Sequence, residues 1–161
     1  MPDTTRSDRS TDEMATGVAG FHEKLSQFWP FGMIAVRVVL GGLLIAHGLD
    51  KFDTGVDAVG DQFDMWGVPL PDLSAWFVTI FEVVGGIALI LGLATRIAAI
   101  VMTLILIGAI IFAKFDAGLI GGYETDLAYI AGLVAIIVLG PGALSVDERI
   151  NLEPTPTTPT R

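Results

Sequence analysis

The sequence predicts an all-α membrane protein, a four-transmembrane-helix antiparallel bundle with a short amphipathic helix in the first outer loop. Three observations predict it. Hydrophobic residues make up 52% of the 161 positions, and the mean hydropathy is +0.67, above what a soluble domain with a polar surface shows. Four apolar stretches, Phe31 to Leu49, Leu73 to Leu93, Ile97 to Ala113 and Leu127 to Leu139, approach the roughly 20 residues that cross about 30 Å of hydrocarbon. These stretches also lack the polar outer face that a soluble bundle of such helices needs.

The elements follow in order. Residues 1–20 are polar and charged, with too few large apolar groups to offset the entropy of ordering, and are expected as a disordered N-tail. The first apolar run begins at Phe31 and has full span length, so the first helix is expected to stay rather than be cleaved as a signal peptide. The membrane domain is expected over 21–150, with spans at about 31–50, 73–93, 96–114 and 123–140. The fourth reaches full length only if Tyr123 to Asp126 begin its helix.

In the first loop, Val56, Val59, Phe63 and Trp66 fall on one helical face, and Asp57, Asp61 and Asp64 on the opposite one. This predicts a short surface helix packed as a lid on the outer ends of the spans. The segment VPLP, Val68 to Pro71, is expected to end it, because proline lacks the amide donor and extends the residue before it. Gly92 to Arg96 leaves room only for a tight turn, which makes the second and third spans antiparallel neighbours. Small residues mark the faces expected to touch: Gly41 and Gly42, Gly85, Gly86 and Ala88, Gly108, and Ala128 with Gly132. The ending EPTPTTPTR, within 151–161, has nothing to bury and is expected as a second disordered tail.

Sidedness follows from Lys and Arg, which are enriched in cytoplasmic segments. Arg6, Arg9, Lys24, Arg96, Arg149 and Arg161 fall on one side of alternating spans, Lys51 and Lys114 on the other. Both termini are therefore expected in the cytoplasm, and the loop holding Asp50, Asp53, Asp57, Asp61, Asp64 and Asp72 outside.

Composition excludes several chemistries. The chain has no cysteine, hence no disulfide, iron–sulfur ligation, thiolate zinc or thiol redox centre of its own. Its two histidines, His22 and His47, cannot supply a bis-histidine haem within the membrane or a three-histidine metal site, because His22 precedes the first span. A metal held by His47, Glu124 and Asp126 is a weak signal, so no metal is expected. There is no phosphate-cradling glycine loop and no nucleophile beside a plausible base. A formal charge of −9 argues against nucleic acid.

The charged residues inside the spans carry the functional question. An unpaired charge near the bilayer centre costs roughly 2.5 to 3.5 kcal/mol or more, so a partner is required. Arg37 and Glu82 lie at depths differing by about one arginine side chain, which predicts an intramembrane ion pair between the first two helices. His47, Lys51, Lys114, Tyr123, Glu124 and Asp126 all fall within about two turns of the outer helix ends. They can converge on an outer polar pocket, or sit singly at the interface with their heads in the headgroups.

These residues are also where the sequence resembles the DoxX family of small four-helix membrane proteins. The resemblance covers about Phe31 to Asp147. It rests on an arginine in the first span followed by AHGLDKF, on FEVVGGIALILGLATR, on GGYETDLAYIAG and on the closing LGPGALSVDE. It implies recurring polar positions at Arg37, His47, Lys51, Glu82, Arg96, Tyr123 and Glu124, with Arg96 on the cytoplasmic turn. Lys114 departs from the family, which often has a histidine near there. By resemblance, the family is tied to a terminal quinol oxidase, to thiosulfate:quinone oxidoreductase and to oxidative-stress assemblies. The expectation is thus a non-catalytic bacterial plasma-membrane subunit or scaffold among redox proteins, with no cofactor of its own. Two alternatives are a quinone-binding component and a small transporter or proton-conducting bundle, and a homo-oligomer is compatible with each.

Overall fold

A computed structural model describes residues 28–142 and 144–150, with Gly20 and Lys24. The tails expected over 1–20 and 151–161 lie outside the described residues, Gly20 excepted. The chain divides into two units, Met1–Gly32 and Met33–Arg161. In the first, Gly20 and Lys24 are helical and the Gly32 amide donates to the Phe28 carbonyl. The second holds the bundle.

The apolar stretches form helices because, in hydrocarbon, a helix is the segment that satisfies its own backbone. Helix α1 runs Trp29–Thr54, α3 Pro71–Leu91, α4 Thr95–Ala109 and α5 Glu124–Leu139. Helix α4 continues through a π-helical turn, Ile110–Lys114, and a 3-10 turn, Phe115–Ala117. Among the described residues, four segments are long and apolar enough to cross a membrane: Phe31–Thr54, Pro71–Leu91, Thr95–Ala117 and Leu119–Leu139. Their outward residues are large and apolar, among them Val39, Phe77, Ile80, Leu104 and Val138. Inside lie Met33, Leu40, Leu44, Leu89, Ala99, Met102, Leu106, Leu133 and Ile136.

Between the first two spans, α2, Val56–Met65, is the amphipathic helix the pattern predicts. Val56 and Val59 are buried with Ala75, and Phe63 packs against them, while Asp57, Asp61 and Asp64 are exposed. Its stop comes before the prolines. Gly67, at φ +71°, lets its own amide reach Asp64 O and that of Val68 reach Phe63 O, a closing motif that glycine favours because it has no Cβ. Pro71 instead opens α3, where a missing amide costs nothing.

Helix contacts run through glycine. A Cβ added to Gly41 would lie 2.5 Å from Gly86 O, and one on Gly48 2.6 Å from Val83 Cγ2, so α1 and α3 cross backbone to backbone. Gly85 faces Met102 of α4, and Gly132 of α5 faces Leu40 of α1. Gly42 and Gly108, which the sequence marks equally, have open space beside them.

Candidate functional site

At the α2 end of the bundle, polar side chains from four segments come together. The Glu82 carboxylate, buried in mid-α3, takes a hydrogen bond from Lys51 Nζ of α1 to Oε2 at 2.6 Å. Asp126, buried in the first turn of α5, receives Lys114 Nζ on both oxygens, at 2.9 and 2.7 Å. The π-helical turn that carries Lys114 supplies the local rewinding, as such bulges do near functional sites. His47, exposed on α1, sets its ring 6.2 Å from that of Tyr129, one turn after Asp126. Lys51, His47 and Lys114 all lie near enough to act electrostatically on Glu82.

Arg37 does not meet Glu82. Instead, the expected ion pair is replaced by three hydrogen bonds from a guanidinium only 2% exposed: Nε to Leu89 O at 2.9 Å, Nη2 to Ile90 O at 3.0 Å and Nη1 to Pro141 O at 2.7 Å. The reason is axial register and side-chain direction. With Gly41 against Gly86 in antiparallel helices, Arg37 is level with about residue 90, some eight residues or roughly 12 Å along the axis from Glu82. Side chains also lean toward the N-terminus of their own helix. Arg37 therefore reaches away from the α2 end while Glu82 and Lys51 reach toward each other.

The far end is built from segments that sequence reasoning treated only as a closing motif. Asp147, fully buried, accepts from Ala94 N at 2.7 Å, Thr95 N at 2.8 Å and Thr95 Oγ1 at 2.6 Å, capping the start of α4 from a distance. Its own amide donates to Gly92 O at 2.9 Å. Arg37 meanwhile caps the carbonyl end of α3, and Arg96 Nε donates to Ile137 O near the end of α5 at 3.1 Å. Helix α6, Val146–Arg149, holds Asp147 in place. Its cap Ser145 accepts from Glu148 N at 3.1 Å, and Glu148 Oε2 accepts from Leu144 N at 3.0 Å. The S-x-x-E spacing of Ser145 and Glu148 was the legible signal for this helix start.

Of the expected outer group, His47, Lys51, Lys114 and Asp126 are joined, with Glu82 and Tyr129 added. Tyr123 stacks on Phe115 at 6.5 Å, and Glu124 Oε1 accepts locally from Gly121 N at 3.2 Å. No group of three or more His, Asp or Glu able to hold a metal occurs among the described residues.

The profile of the DoxX family matches residues 32–114, which include Arg37, His47, Lys51, Glu82 and Lys114. The chain belongs to the DoxX family. Among relatives, it is 32% identical to "Putative oxidoreductase CatD" of Bacillus subtilis, over 76% of this chain and 90% of that protein. It is 29% identical to an uncharacterized membrane protein of Mycobacterium tuberculosis, over 78% of this chain and 85% of the relative. The inner membrane protein YphA of Escherichia coli is 23% identical over 74% and 91%. No solved structure matches the chain. The DoxX profile ends at Lys114, so the partner of that lysine, Asp126, and the clamp residue Asp147 lie beyond it.

Proposed function

We propose that this multi-pass membrane protein is a DoxX-type subunit or scaffold of a redox- or oxidative-stress-associated complex in the bacterial plasma membrane, with both termini cytoplasmic and no catalysis of its own. One observation carries the reading. Among the described residues, the four buried charged side chains, Arg37, Glu82, Asp126 and Asp147, are each bonded within the chain, to helix ends or to a lysine. An interior whose charges serve its own helix ends and pairings suits a rigid membrane platform. Native extraction in mild detergent, followed by mass spectrometry of co-purifying proteins, tests it. Stoichiometric redox partners are the expected result, and a partner-free protein at native expression is the result against it.

A quinone-contacting component is the second reading. It is favoured by exposed His47 and by Lys114, whose side chain is 42% exposed beside the cluster, since both can donate to a carbonyl headgroup. The oxidoreductase name of the Bacillus subtilis relative is consistent with either reading. Saturable binding of a menaquinone or ubiquinone analogue in nanodiscs, lost in Lys114→Met, supports the second reading, and its absence removes it.

A further inference from the structure

Glu82 lies 11 residues after Pro71 and 9 before Leu91, near the middle of its span. Its side chain is only 8% exposed. Lys51 satisfies Oε2, yet no hydrogen bond reaches Oε1 among the described residues. A buried carboxylate oxygen without a donor is costly and calls for a proton, a water or a ligand.

The groups around it are few. Helix α1 presents His47 and Lys51, with Gly48 lying against the Glu82 Cβ. The π-helical turn presents Lys114, already bonded to Asp126 of α5, and α5 adds Tyr129 beside His47. On α3 itself, Thr79 spends its hydroxyl proton on Ala75 O. Helix α2 meets α3 through the apolar Val56, Val59 and Phe63, packed at Ala75, and through Gly60, which lies against Asp72 in the first turn of α3.

Lys51 is a partner able to leave. It stands three residues from the end of α1, its side chain is 22% exposed, and its neighbours Asp50 and Asp53 are exposed. A four-carbon stem lets its ammonium reach the buried carboxylate or extend to water. Toward the other end, the apolar Leu40, Leu44, Leu89, Met102 and Leu133 fill the core between Glu82 and the Arg37 clamp. His47 and Lys114 mark the α2 side as the wet approach.

We propose that Glu82 is a proton-binding site loaded from the α2 side of the membrane, and that Lys51 is the counter-ion released when the proton arrives. The ionised carboxylate needs Lys51 to stay buried. The protonated acid is neutral and needs no counter-charge, so the ammonium moves to water and the two states differ by one proton and one lysine conformation. This inference goes beyond the subunit reading, and its failure leaves co-purification with partners untouched.

Infrared difference spectra of the full chain in nanodiscs, recorded against pH, test it directly. Acidification is expected to raise a reversible carboxylic-acid C=O band that shifts with carbon-13 glutamate but not with carbon-13 aspartate. The band is expected to vanish in Glu82→Gln and persist in Glu124→Gln. In Lys51→Met it is expected at neutral pH already, a reading that does not depend on Glu82→Gln folding. In vesicles of one orientation the band is expected to follow the pH on the α2 side. A band unchanged in Glu82→Gln, a Glu82 still ionised at neutral pH in Lys51→Met, or a response to the α6 side overturns the proposal.

Discussion

The ammonium of Lys51 and the carboxylate of Glu82, 31 positions apart, meet at 2.6 Å in the α2 half of the bundle. That contact makes Glu82 part of the cluster with Lys114 and Asp126. Removing one member of a buried pair strands the other, at a cost of about 3–5 kcal/mol. Because Lys51 is partly exposed, Lys51→Met is expected at the lower end of that range. The double variant Lys51→Met with Glu82→Leu is expected to recover more than half of the loss. Thermal unfolding in detergent of the two single variants and the double variant checks the coupling.

Arg37→Ala is expected to be among the most damaging substitutions in the chain. It opens a cavity and removes a donor from three carbonyls: Leu89 O keeps the Gly92 amide, while Ile90 O and Pro141 O are left unsatisfied at about 1–3 kcal/mol each. Arg37→Lys is expected to rescue only part of this, since one ammonium cannot reproduce the planar fork that spans Leu89, Ile90 and Pro141. Melting temperatures of the two variants provide the comparison.

Asp147→Ala removes the acceptor for two amides and a hydroxyl at the start of α4. The expected outcome is faster hydrogen exchange at Ala94 and Thr95, with α2 unaffected because it lies at the other end. Asp147→Asn keeps one acceptor oxygen and is expected to fall between the wild type and Asp147→Ala.

Glycines separate cleanly by position. Gly41→Leu and Gly86→Leu push side chains into backbone that now lies within contact distance, so both are expected to lower folded yield sharply. Gly42→Leu and Gly108→Leu enter open space and are expected to be tolerated. Monodispersity on size exclusion, measured for all four, decides the matter.

Sidedness is accessible because the chain has no native cysteine. Under the proposed orientation, with both termini cytoplasmic, Asp57→Cys on the exposed face of α2 is expected to react with an impermeant maleimide from outside intact cells. Arg149→Cys is expected to react only after the membrane is opened.

Composition and periodicity alone determined the membrane class, the four spans and the acidic outer face of α2, because each is a local property of which side chains a helix shows to lipid or water. The tight turn at Gly92 was equally local. Which charge meets which depended on quantities no single segment contains: the axial offset fixed where Gly41 touches Gly86, and the lean of each side chain toward its own N-terminus. An axial separation of about 12 Å, where depth counting suggested about one arginine side chain, was enough to send Glu82 to Lys51 rather than Arg37. The Asp147 clamp was hidden for the same reason, since 52 residues separate it from the Thr95 amide it caps, and only the folded chain brings an acid to an open helix start.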